Sequence, residues 1–197
     1  MSAIQIPNLS AAIALNGAEQ LEAVQAGTSV RVTTQQIANL SVGPEFGTHG
    51  SFYSTVTQTN PVASAVNKMT FNTTSSNDGV IVVSNSRLTV PFDGVYNIQF
   101  SAQVQKTDGG TDSMDIWIQK SGNNVDYSNT RVELAGNGAK QVAAWNWMIE
   151  LAANEYVEIC WSSADTDVNL HAELPQVTPT RPGIPSVIAT VAMVVPI

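Results

Sequence analysis

At 197 residues the chain has room for one sizeable domain and a small module, and is short for two full domains, since compact domains cluster near roughly 100 to 150 residues. Only 12% of its residues are charged against 43% hydrophobic, so Ser, Thr, Asn and Gln must clothe much of the surface. Eight Lys and Arg against sixteen Asp and Glu leave a net charge of -8, which offers no basic footprint for phosphates and sets nucleic acid and anionic membrane aside as expected partners.

The first 42 residues are read as a separate module. Leu21 to Gln25 and Ser29 to Thr33 flank Ala26-Gly27, the pattern of a tight turn between two short strands, and Thr33 or Thr34 is placed to cap a helix ending near Leu40. The competing reading is one amphipathic helix from Ala11 to Ala26, but Asn16-Gly17 would then fall in its middle, at about 1 kcal/mol for the glycine alone. The hairpin is preferred. No basic segment precedes an apolar run at the start, and nothing approaches the ~18 apolar residues of a membrane span, so a soluble chain without its own secretion signal is expected. Residues 43 to 50 hold Gly43-Pro44 and two further glycines, which marks a linker before a domain of residues 51 to 197.

Beyond the linker, β-branched and aromatic runs recur between turn sequences: Asn77-Asp78-Gly79, Asp108-Gly109-Gly110, Ser121-Gly122-Asn123-Asn124, Gly136-Asn137-Gly138 and Ala153-Asn154. About ten strands are expected, some merging. They are Phe52 to Gln58, Met69 to Thr74, Val80 to Val83, Arg87 to Val90, Val95 to Lys106, Met114 to Lys120, Tyr127 to Leu134, Gln141 to Leu151, Tyr156 to Ser162, Asn169 to Leu174 and Val187 to Val195. No helix pattern intervenes, so the class is all-β, an antiparallel sandwich or jelly roll. In Val95 to Lys106, Tyr96, Ile98, Phe100, Ala102 and Val104 share one face against a polar one. The run from Val187 to Val195 is instead apolar on nearly both faces, so a neighbouring subunit is expected to cover what the sandwich does not.

The segment from Leu88 to Phe100 resembles the central signature of complement-type and tumour-necrosis-factor-like jelly rolls, where a turn with Gly leads into Gly-x-Tyr-x-Phe. Gly94 and Tyr96 match; Ile98 stands in the Phe position, with Phe100 two residues on. Asn154 to Ile159 and Ser186 to Val191 resemble the late and closing strands of that family. The resemblance implies a homotrimer, with Tyr96, Ile98, Phe100, Trp145, Trp147, Trp161, Val187, Ala189 and Val191 in the subunit interface or the core. Ile6 to Ala12, Gly17 to Gly27 and Val30 to Ile37 are similar to a leader module of tailed-phage fibre and virion proteins. That likeness implies docking through Ile6, Leu9, Ile13, Leu21, Val24, Val30, Val32, Ile37 and Leu40 on phage capsid or tail proteins.

The expectation is a virion structural protein assembled in the host cytoplasm, a trimeric head fibre or capsid decoration protein that performs no reaction. The absence of a long shaft repeat suits that length. The alternatives are a tail-fibre tip recognising host surface glycans and a bacterial complement-like adhesion module.

Residues that carry chemistry elsewhere have blander readings here. Asp165, Asp167 and Asn169 alternate like calcium ligands, but Leu170 and Gln176 occupy the positions where glycine and a bidentate acid belong, and a solvated turn is the default. Asp108 and Asp112 are a second weak cation candidate. His49 and His171 lack partners at metal-ligand spacing, and the single cysteine, Cys160, allows neither an intrachain disulfide nor a cysteine-based zinc site. There is no Gly-x-Ser-x-Gly elbow, and Gly136-Asn137-Gly138 lacks the lysine of a phosphate loop, so neither hydrolysis nor nucleotide binding is expected and no cofactor is required. Trp117, Trp145, Trp147 and Trp161 are read as core or interface residues ahead of carbohydrate platforms.

Overall fold

A computed structural model describes residues 18–41 and 47–197 together with Asn16 and Gly43. The chain forms two compact units, Met1–Phe46 and Gly47–Ile197. In the first, β1 (Gln20–Gln25) pairs antiparallel with β2 (Thr28–Thr33), and α1 (Thr34–Ser41) follows. Ala26 and Gly27 both take positive φ, 52° and 78°, which matches the right-handed twist of the flanking strands. Thr33 caps the helix: Gln36 N donates to its Oγ1 at 3.1 Å, while Thr33 N donates back to Gln36 Oε1 at 2.8 Å. The expected hairpin and helix are both present. Ile6, Leu9 and Ile13 lie outside the described residues, as does the side chain of Leu40.

The second unit begins with β3 (His49–Ser54), β4 (Gln58–Thr59), β5 (Asn67–Lys68), β6 (Thr73–Asp78), β7 (Ile81–Val83) and β8 (Arg87–Thr89). It continues through β9 (Gly94–Lys106), β10 (Thr111–Lys120), β11 (Asn123–Asn124), β12 (Thr130–Ala135), β13 (Lys140–Leu151) and β14 (Tyr156–Ser163). The last are β15 (Val168–Leu170), β16 (Gln176–Val177), β17 (Thr180–Arg181) and β18 (Val187–Pro196). One sheet runs β13, β9, β18, β3, β6, with β15 and β4 alongside β9 beyond β18; the other runs β7, β8, β14, β10, with β11 and β12 on the far edge of β10. The pairings are antiparallel, and the chain crosses between sheets from β9 to β10, β12 to β13 and β13 to β14, which makes the unit a jelly-roll sandwich.

The signature segment has a mechanical explanation. A Cβ on Gly94 would come within 2.9 Å of Val195 O, so only glycine lets β18 close over the start of β9. Tyr96, wholly buried, donates its hydroxyl to Phe92 O at 2.8 Å and ties the entering turn to the core; burial raises its pKa. The alternating set of β9 then fills the interior with Val187, Ala189 and Val191 of β18 and Trp161 of β14. Trp161 stands in the sheet facing the one that holds Trp145 and Trp147.

Several expected strands are displaced. β3 starts inside the expected linker. Met69 and Phe71 are buried without belonging to a strand, since Met69 N donates to Ile159 O and Phe71 N to Asn85 O, and the ladder begins only at Thr73. The strand expected from Tyr127 begins at Thr130 because Tyr127 sits at a φ of 59°, incompatible with extended backbone. The run expected to Leu174 ends at Leu170.

Candidate functional site

β18 lies in the middle of its sheet, hydrogen-bonded to β3 on one side and β9 on the other. Val187, Ala189 and Val191 point into the sandwich, and Ile188, Thr190 and Ala192 therefore point out. Around them the outer face shows Ser51 and Tyr53 of β3, Val95, Asn97, Gln99 and Ser101 of β9, and Val142, Ala144, Asn146 and Met148 of β13. Val142 is 53% exposed, Met148 54% and Ile188 40%. Among the described residues of these four strands, Lys, Arg, Asp, Glu and His side chains on this face stand only at its margins, where His49, Lys140 and Glu150 occupy strand ends. A surface that omits charge over four strands while the chain carries a net charge of -8 has the composition of an interface centre.

The residues expected in interface or core separate cleanly. Tyr96, Ile98, Phe100, Trp161, Val187, Ala189 and Val191 are all core. Trp145 and Trp147 pack on Phe100, with ring centroids 4.7 and 5.2 Å away, and close the β13 edge from inside. The outward set that flanks Ile188 and Thr190 was not singled out in the sequence, although alternation in β9 and β18 identifies it once the inward residues are known.

At one margin, residues 173 to 184 form an arm carrying β16 and β17, which walls a groove of about 650 Å³ with Tyr53, Ile188, Leu174, Pro175, Pro182 and Pro185. Glu173 fastens the arm, accepting from Lys140 Nζ at 2.5 Å and Arg181 Nη2 at 3.1 Å. Lys140, then Arg181, hold its carboxyl down to about 2. A depressed carboxylate contributes above its ordinary range near pH 4.5, and the contribution is lost as pH falls through about 2. Arm amides of the wild type should therefore stay protected in hydrogen exchange at pH 5 and lose protection near pH 2, whereas Glu173→Gln should show the loosened pattern at both. Equal protection of the two proteins at pH 5 would contradict the fastening role.

The two acidic candidates of the sequence converge. Carboxylate oxygens of Asp108, Asp165 and Asp167 lie within 4.8 Å of one another. The ammonium of Lys106, whose side chain is wholly buried, hydrogen-bonds Asp108 and Asp112 and lies 3.5 Å from Asp165. A cation is thus built into the cluster by the chain itself. Asn169 is buried in β15 and its Oδ1 has no hydrogen-bond partner among the described residues. Cys160 is buried with Lys68 Nζ 3.3 Å from its sulfur, and burial pushes the thiol pKa up, against a nucleophilic role.

In the N-terminal unit, Leu21 is 50%, Val24 73% and Ile37 42% exposed, and Val30 and Val32 are half-buried. Among the described residues of this unit, no apolar side chain is fully buried.

No family model and no curated protein matches the chain. Among solved structures it is similar to the globular domain of the zebrafish complement 1qA protein, at 13% identity with a TM-score of 0.46, over 77% of this chain and 99% of that one.

Proposed function

We propose that the chain is a non-enzymatic structural protein that forms a homotrimer through the outer face of the sheet containing β18, and that its N-terminal unit docks it on the capsid or tail of a bacteriophage particle. The observation that carries the assembly is the uncharged sheet face: apolar, amide and hydroxyl side chains on four adjacent strands, with Lys, Glu and His confined to strand ends. Docking is supported by the exposed Leu21, Val24 and Ile37 of the hairpin-helix unit and by its resemblance to phage leader modules.

The two roles reside in different units, so they are separable. A chain beginning at Gly47 should remain trimeric and fail to co-sediment with the parent particles, while the full chain sediments with them. Decoration of the particles by the truncated chain at full occupancy would remove the docking role from the first unit.

A further inference from the structure

We propose that a trough on the opposite sheet, beside Trp117 and Tyr127, binds a neutral hexopyranose. The inference is independent of the trimer seam, since the trough lies on the outer face of the other sheet.

β10 carries β11 and β12 on the same edge, and between them residues 125 to 129 leave the ladder and wall a trough of about 440 Å³ over Trp117. This loop is fastened at every turn. Val125 N donates to Ile118 O at 3.1 Å, Ile118 N donates to Ser128 Oγ at 3.3 Å, and Ser128 Oγ donates to Val125 O at 2.7 Å. Trp147 Nε1 donates to Ser128 O at 3.2 Å and secures the loop to the facing sheet. The same loop holds Tyr127 fully exposed, at a left-handed φ of 59°. Fold stability gains nothing from an aromatic ring without packing on a backbone conformation that side chains disfavour, and a fixed loop that sustains both is a feature of binding sites.

The polar groups of the trough are pre-set. Trp117 Nε1 and Gln119 Nε2 both donate to Asn124 Oδ1 at 2.8 Å, which leaves the Asn124 amide nitrogen as a donor. Asn129 Nδ2 donates to Asp115 at 3.3 Å, leaving its Oδ1 as an acceptor. Arg131 grips Asp115 through two bonds of 3.0 and 2.8 Å and neutralises it. Asp126, which lines the trough, has no hydrogen bond or ion pair among the described residues. Two aromatic rings with one donor, one neutral acceptor and one free carboxylate complement a sugar ring, which offers a C–H face for stacking and adjacent hydroxyls that both donate and accept. The uncompensated Asp126 repels sialic acids, uronic acids and phosphates, so the ligand is uncharged.

The test titrates the full-length protein with the methyl glycosides of galactose, glucose and mannose, followed by tryptophan fluorescence and saturation-transfer NMR, with N-acetylneuraminic acid as the anionic comparison. At least one hexoside should bind saturably in the millimolar range, and the acid should not bind. Tyr127→Ala and Asp126→Ala should each weaken binding about tenfold with melting temperature and scattering mass unchanged, because both side chains stand outside the packed core. The proposal is overturned if no hexoside saturates either signal, if the acid binds as well, if Tyr127→Ala leaves affinity intact, or if that variant changes the oligomer, which would make Tyr127 a subunit contact.

Discussion

Val191→Asp should leave no cooperatively folded protein, whereas Thr190→Asp, one residue earlier in the same strand, should fold and lose its partners. Val191 is 1% exposed, inside the sandwich, and lies between Gly50 and Ile98 in the ladder. A carboxylate there meets no donor and no cation; burying it costs several kcal/mol, comparable with the roughly 5 to 15 kcal/mol of a whole domain. Thr190 lies between Ser51 and Gln99 on the outer face, where a single chain leaves a charge in water. Only association would desolvate it, and a threefold seam would gather three such charges. Circular dichroism on heating should show no transition for Val191→Asp and a near-native one for Thr190→Asp. A Thr190→Asp protein that stays fully assembled would place the seam elsewhere.

Lys106→Met should lower the melting temperature by roughly 10 °C or more, although methionine fills much of the same volume. Lys106 ends the inward-facing series of β9, with its side chain wholly buried and its ammonium among Asp108, Asp112 and Asp165. Burial works to lower its pKa, and the hydrogen bonds and charges of Asp108 and Asp112 outweigh that and raise it, so the ion pair persists throughout the neutral range. Removing the cation leaves carboxylates gathered without compensation. Asp112→Asn added to Lys106→Met should recover part of the deficit, because it removes one of the uncompensated charges. A double variant no more stable than the single one would show that the lysine stem, and not its charge, matters.

How much of this was legible in the sequence differs from element to element for physical reasons. The hairpin turn and the helix cap depend on residues no more than three apart, Ala26-Gly27 and Thr33 with Gln36, and local chemistry specifies them. β9 and β13 are long enough for period two to be unmistakable, and both begin within one residue of the sequence reading. β4, β11, β16 and β17 have two residues each, too few for any period, and exist because a longer neighbour offers free backbone groups or a turn closes them. Lys106 carried a readable signal, since it falls on the inward face after five apolar residues and precedes Asp108 and Asp112. The convergence of Asp165 on that lysine depends on β15 lying beside β9, a pairing across some 60 residues that no local pattern encodes. The exposed Tyr127 was hidden for the opposite reason, because an aromatic before a β-branched run reads as part of the strand.

The most direct test of the central claim, that the outer face of the β18 sheet is a subunit seam, is light scattering of the wild-type chain at micromolar concentration. A threefold seam requires a single species at three times the 20.9 kDa chain mass; a stable species at the mass of one chain would contradict it.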